Sequence, residues 1–242
     1  MESITLQPVV YQIDGQPYEG LLAYDSSRVD PLPGLLMAPN WMGISEGAQE
    51  IAKSVAEQGY VVLIADLYGQ GIRPANADEA GAAMMPLKND RALLRKRMWA
   101  AYDTLRNTSF AQVDSSKLAT FGFCFGGCCS LELARGGAPL KAAISFHGSL
   151  DTPNPIDANS IKGSVLVLHG AADPLVANEQ LPAFEAEMTA AGVDWQLTSY
   201  GGAVHSFTEP HANVPGKMMY DARTAKRAFI AMHNLLDEVF RD

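Results

Sequence analysis

Two hydrophobic rhythms run along the chain. In the first thirty residues, Thr5–Ile13 and Tyr18–Tyr24 are rich in β-branched and aromatic residues and flank Asp14-Gly15-Gln16-Pro17, a turn-forming tetrapeptide. This pattern predicts a β-hairpin. From Gly34 onward, short apolar runs alternate with helical patterns. The runs are Gly34–Ala38, Tyr60–Ala65, Leu118–Phe123, Ala142–Phe146, Val165–Leu168 and Trp195–Tyr200, most of them apolar on consecutive positions. A strand with both faces covered reads this way, as in a parallel sheet between helices.

Helical patterns fall between these runs. In Gly47–Gln58, Ile51, Ala52, Val55 and Ala56 share a face, and Gly59 stands where a C-terminal cap belongs. Further helices are predicted at Asp90–Arg106, with its arginines outside, and at Glu179–Ala191, ending at Gly192. The last helix places Ala225, Phe229, Met232, Leu236 and Val239 on one stripe. Asp66–Ala83 reads as a loop, with Met84 and Met85 packed beneath it. Strand–helix alternation of this kind predicts an α/β fold with a mostly parallel, doubly wound sheet, helices on both faces and right-handed crossovers. No linker interrupts it, so residues 1–242 read as one domain.

Composition narrows the function classes. With 48% hydrophobic and 19% charged residues, the chain has ample apolar surface to bury, which argues against disorder. A net charge of −9 provides no basic footprint for nucleic acid. The three cysteines lie within Cys124–Cys129, which is neither a disulfide framework nor a zinc spacing. No signal peptide or membrane-spanning run is visible, so a soluble, cytoplasmic protein is expected. No H-E-x-x-H or similar spacing occurs, so no metal or organic cofactor is expected.

The segment Gly122-Phe123-Cys124-Phe125-Gly126 follows a predicted strand and opens a helix-like stretch over Cys128–Ala134. It has the G-x-C-x-G form of a nucleophile elbow, with cysteine where serine is commoner. The turn is sharp enough that side chains two residues either side of the nucleophile would collide, hence Gly122 and Gly126. Cys124 would stand at a helix N-terminus, which favours the thiolate. An acid and a base follow in the order such sites require. Asp173 comes on the loop after Val165–Leu168, and His205 on the loop after Trp195–Tyr200. Cys124 is thus the candidate nucleophile, His205 the base, and Asp173 the group that orients the imidazole. The Phe125 N–H is expected as one oxyanion donor.

Gly122–Gly127 (GFCFGG), His169–Pro174 (HGAADP) and Gly202–Phe207 resemble the dienelactone hydrolase family of α/β-hydrolases, as do Leu36–Gly43 (LMAPNWMG) and Ala65–Tyr68 (ADLY). The resemblance runs from about residue 34 to the last helix. It implies the α/β-hydrolase fold, a small ester or lactone as substrate, and the Trp41 N–H as second oxyanion donor. It also implies a pocket that includes Asn40, Met42, Tyr68, Arg73, Ser206 and Phe207. Two positions depart from the family. Asn40 replaces a glutamate that pairs with the nucleophile, and Glu209 replaces an arginine that binds a substrate carboxylate. Arg73 or Arg91 could substitute for that arginine. The departures predict a neutral or differently charged ester.

An acyl transferase or thioesterase would use the same three residues, and a non-catalytic binding protein could keep the scaffold. His147, His169, His211 and His233 read as structural or exposed, Cys128 and Cys129 as helix packing, and Arg91, Arg95, Lys96 and Arg97 as a solvated face. Oligomeric state is not legible.

Overall fold

Asp14 and Gly15 both take positive φ, 52° and 75°, the backbone of a two-residue type I′ turn. They join β1 (Ile4–Ile13) to β2 (Gln16–Asp25), antiparallel partners with Ile13 opposite Gln16. The remaining elements, in order, are β3 (Leu32–Ala38), α1 (Glu46–Ala56), β4 (Val61–Ile64), α2 (Ala77–Asn89), α3 (Arg91–Arg106), β5 (Val113–Phe123), α4 (Phe125–Arg135), β6 (Ala142–Phe146), β7 (Ser164–Gly170), α5 (Gln180–Ala190), β8 (Trp195–Tyr200), β9 (Asn213–Val214), β10 (Met218–Met219) and α6 (Ala222–Val239). The computed structural model describes residues 4–241. By its internal packing the chain divides into two units, Met1–Thr120 and Phe121–Asp242, with the boundary inside β5.

In the first unit the strand order is β1-β2-β4-β3-β5. β2 is antiparallel to β4, and β3 is parallel to it. The four residues of β4 are all buried, as a strand covered on both faces requires. Gly34 of β3 is a glycine for a packing reason: a Cβ there would lie 2.6 Å from the Leu118 side chain. Helix α1 is capped by Ser45 Oγ, which accepts from the Ala48 N–H at 3.3 Å, and buries Ala48, Ala52, Val55 and Ala56.

The second unit orders the end of β5 with β6, β7 and β8, and β6–β7 and β7–β8 are parallel. Val165 and Val167, on one face of β7, cluster with Leu131 of α4 and with Phe184 and Met188 of α5. Phe229 of α6 packs against Phe123 and Phe146, with ring centroids 6.1 and 5.1 Å away. Phe123 and Phe146 stack at 4.8 Å, and each such aromatic pair adds about 0.5–1.5 kcal/mol beyond simple burial.

The six predicted inner strands and the five predicted helices all form, with ends moved by a few residues. Three expectations need correction. Met84 and Met85 lie in helix α2 rather than under a loop, and Met85 is exposed. This helix is poor in large apolar residues and carries Pro86, so its periodicity is faint. Its start is an Asn76–Glu79 capping pair, with the Glu79 N–H donating to Asn76 Oδ1 at 3.0 Å. Arg97 does not belong to a solvated face: it donates to the Leu67 carbonyl, and its guanidinium lies 5.3 Å from the Tyr18 ring centre. The stripe of α6 is turned slightly, so that Ala228 and Leu235 are buried while Phe229 and Val239 are only partly covered. Among the described residues no helix is long and apolar enough to cross a membrane.

A buried charge cluster ties α4 to α5. Arg135, 1% exposed, donates to Glu187 at 2.7 and 2.8 Å, to Glu132 at 3.0 Å and to the Leu150 carbonyl at 3.1 Å. Removing one partner of a buried pair strands the other charge. Glu187→Ala should therefore lower unfolding free energy by about 3–5 kcal/mol in urea titrations. A loss below about 1 kcal/mol, the scale of an exposed pair, would show that the cluster is not holding the helices.

Candidate active site

Cys124 is the residue between β5 and α4, with φ 55° and ψ −117°. Few non-glycine residues tolerate positive φ, and such a residue costs about 1–3 kcal/mol unless its surroundings enforce it. Here they do. The Cys124 N–H donates to the Phe146 carbonyl at 3.0 Å and also to His147 Nδ1 at 3.2 Å, while the Gly127 N–H donates back to the Cys124 carbonyl at 3.0 Å. The first turn of α4 then runs hard against the end of β6. A Cβ on Gly127 would lie 2.4 Å from Ser145 Oγ and 2.9 Å from Gly148 Cα. The side chain of Cys124 is partly exposed, whereas Cys128 and Cys129 are buried; none of the three is in a disulfide. Phe125 opens α4, so its N–H has no acceptor within the helix.

Asp173 follows β7 in a loop stitched to its neighbour. The Ala171 N–H donates to the Tyr200 carbonyl at 3.0 Å, and the Ala172 N–H to Ala203 at 2.9 Å. Gly170 permits this, because a Cβ there would lie 2.6 Å from the Ala203 oxygen. Asp173 Oδ1 accepts the Leu175 N–H at 2.8 Å, and Oδ2 accepts from His205 Nδ1 at 2.7 Å. The loop carrying His205 is pinned in turn by the β9–β10 hairpin: the Met219 N–H donates to the His205 carbonyl at 3.0 Å. Nothing in the sequence reading anticipated that two-residue hairpin.

His205 is 4% exposed. Burial alone would lower its pKa, but hydrogen bonding to Asp173 and the nearby Cys124 sulfur outweigh it and raise the value to about 10. Nε2 has no partner with ordinary hydrogen-bond geometry among the described residues, so the influence of Cys124 reaches the ring across a looser contact. The opposite holds for His147. It is 1% exposed, and burial, followed by the charge of His205, holds its pKa well below 6.5. Its ring lies 5.1 Å from that of His205. His169 is also buried, with its pKa lowered by burial.

The expected site residues divide between the two units. The second brings together Cys124, Asp173 and His205, with Ser206 and Phe207 following directly. Ser206 takes φ 57°, and Phe207 is fully buried, its ring 5.0 Å from His147 and 5.7 Å from Tyr200. Phe207 thus backs the histidines instead of offering an open wall. In the first unit, Asn40 Oδ1 accepts the Met42 N–H at 2.9 Å and the Asn40 carbonyl accepts that of Gly43 at 2.9 Å, shaping the turn after β3. The Tyr68 hydroxyl donates to the Trp41 carbonyl at 2.8 Å. Arg73 donates to the carbonyls of Gly69, Ile72 and Glu19 and lies 3.6 Å from Asp66, so its guanidinium is already engaged by the protein.

Comparison with known proteins adds the lineage. Residues 19–240 match the model of the dienelactone hydrolase family. The chain belongs to that family. Dienelactone hydrolases act on lactone or ester bonds, and this chain is a hydrolase of that kind. A solved structure named m3DLH superposes with a TM-score of 0.92 at 40% identity, covering 98% of this chain and 99% of that one. A dienelactone hydrolase-like promiscuous phosphotriesterase from metagenomic libraries superposes with a TM-score of 0.91 at 39% identity, with the same coverage. A "probable 2-oxo-3-(5-oxofuran-2-ylidene)propanoate lactonase" of Bradyrhizobium is 30% identical over 79% of this chain and 80% of its own length. The architecture is the α/β-hydrolase fold with an added N-terminal hairpin.

Sequence reading missed His147 and Thr208 as neighbours of the site. A histidine directly after an inner strand, in Phe146-His147-Gly148, was the available signal, since side chains at strand ends collect there. The electrostatics can be read directly. In ¹⁵N NMR titrations, His205 should keep both ring nitrogens protonated through pH 8 and lose a proton near pH 10. Asp173→Asn removes its main stabilising partner and should bring that midpoint down toward the ordinary 6.5. A midpoint that does not move would mean Asp173 does not hold the charge.

Proposed function

We propose that this member of the dienelactone hydrolase family cleaves its ester or lactone through a Cys124–His205–Asp173 triad. The arrangement of His205 carries the reading: Asp173 Oδ2 accepts the hydrogen bond of its Nδ1–H at 2.7 Å, and the Cys124 sulfur acts on the same ring. Cys124 gives its thiol proton to His205 Nε2, and the sulfur attacks the acyl carbon and forms a tetrahedral adduct, whose oxyanion the Phe125 N–H stabilises. As the adduct collapses, the C–O bond of the ester breaks and His205 Nε2 gives its proton to the departing alkoxide. A thioester remains on Cys124. Water then loses a proton to the now neutral His205, attacks the thioester and releases the acid, and the sulfur leaves with its electron pair. Asp173 keeps the imidazole in one tautomer throughout. Every group in this sequence lies in the second unit.

The preferred substrate is a neutral ester. Glu209 follows His205 in the same loop, its backbone N–H bonded to the Ser206 carbonyl at 3.0 Å, and the net charge is −9. A carboxylate brought near that glutamate meets a like charge. The metagenomic phosphotriesterase points the same way, since a phosphotriester carries no charge. Three cysteines outside any disulfide fit a reducing compartment such as the cytoplasm.

Cys124→Ala should reduce aryl acetate hydrolysis below about 1% of wild type while the protein stays folded. Wild-type enzyme should favour a neutral aryl acetate over a carboxylate-bearing dienelactone by at least about tenfold in kcat/KM, since like-charge contacts are costly. Equal rates on the two would sink the substrate assignment and leave the triad untouched.

A further inference from the structure

We propose that His147 is a positioning residue: it ties the backbone of Cys124 to the loop that carries His205, and so sets the separation of sulfur and imidazole. The inference rests on the triad reading above. His147 stands at the end of β6, between the two groups, and both of its ring nitrogens are used. Nδ1 accepts the Cys124 N–H at 3.2 Å, which places the ring proton on Nε2, and Nε2 donates to Thr208 Oγ1 at 2.8 Å. Thr208 is three residues beyond His205 on the same loop. One rigid side chain thus bridges the nucleophile elbow and the histidine loop.

Three observations separate this role from simple core filling. A buried N–H needs one acceptor, and that of Cys124 already has the Phe146 carbonyl at 3.0 Å, so the bond from His147 is surplus to satisfaction. A phenylalanine would fill the same space among Phe123, Phe207 and His205 without two polar atoms to bury. The backbone of His147 is itself held at φ 40°, as though the ring position were worth some strain. The bridge also fixes the charge state of the ring. A protonated Nδ1 would point a proton at the Cys124 N–H, so His147 stays neutral beside the His205 cation, in agreement with its lowered pKa.

The test is steady-state kinetics on an aryl acetate with the full-length wild-type protein, His147→Phe, His147→Asn, Thr208→Val and Cys124→Ala, each checked for folding by circular dichroism. His147→Phe should lower kcat about 30-fold with KM changed less than about twofold, the signature of misplaced reacting groups rather than lost binding. In His147→Asn, Oδ1 can take the place of Nδ1 but nothing reaches Thr208, so half of the bridge returns and kcat should recover to about five- to tenfold below wild type. A kcat in His147→Phe within twofold of wild type, or no rescue by asparagine, overturns the proposal. If His147→Phe does not fold, Thr208→Val decides: the proposal expects kcat reduced at least about fivefold at unchanged KM, and a wild-type kcat overturns it. Activity in Cys124→Ala would overturn the nucleophile reading itself. An inactive Cys124→Ala beside a fully active His147→Phe overturns this inference alone.

Discussion

The N–H of Cys124 is shared between two acceptors at the end of β6, the Phe146 carbonyl at 3.0 Å and His147 Nδ1 at 3.2 Å. Those bonds hold a cysteine at φ 55°, a backbone state that few side chains accept. They work because β5 and β6 are neighbours in a buried sheet and because α4 can start directly at the elbow. The start is possible only where Gly127 and Gly148 let backbone meet backbone. The chain therefore uses its most regular part, the parallel strands, to stabilise its least regular residue.

Charge follows from that geometry. His205 and His147 lie with ring centroids 5.1 Å apart, and two imidazolium ions would repel at that distance. Their partners separate them. His205 faces Asp173 and the sulfur and takes the proton, while His147 faces an N–H and a hydroxyl and stays neutral. In the proposed reaction, this keeps the proton on the ring that delivers it to the leaving group. The buried Arg135–Glu187 pair does a different job nearby: it fixes α4 against α5, and so keeps the helix that follows Cys124 from shifting.

Much of this was legible in the sequence. Continuous apolar runs marked β3 to β8, and the order cysteine, aspartate, histidine at strand ends marked the candidate site, because sharp turns and strand-end loops leave local signatures. What was not legible arises from contacts distant in sequence or from weak periodicity. Helix α2 hides its pattern among alanines, glycine and Pro86. Arg97 looks like any solvated cation until Leu67 and Tyr18 fold against it. His147 gave no spacing that set it apart from an ordinary core histidine, since its partners, Cys124 and Thr208, lie 23 and 61 positions away.

The central claim is that Cys124 carries the acyl group. Mixing the enzyme with an aryl acetate, quenching in acid within the first turnovers and mapping the peptides by mass spectrometry tests it most directly. The account predicts one acetyl group on the peptide containing Cys124, formed with a burst of phenol and absent after the substrate is exhausted. Turnover without any acylated cysteine, or acetyl on another side chain, would contradict it.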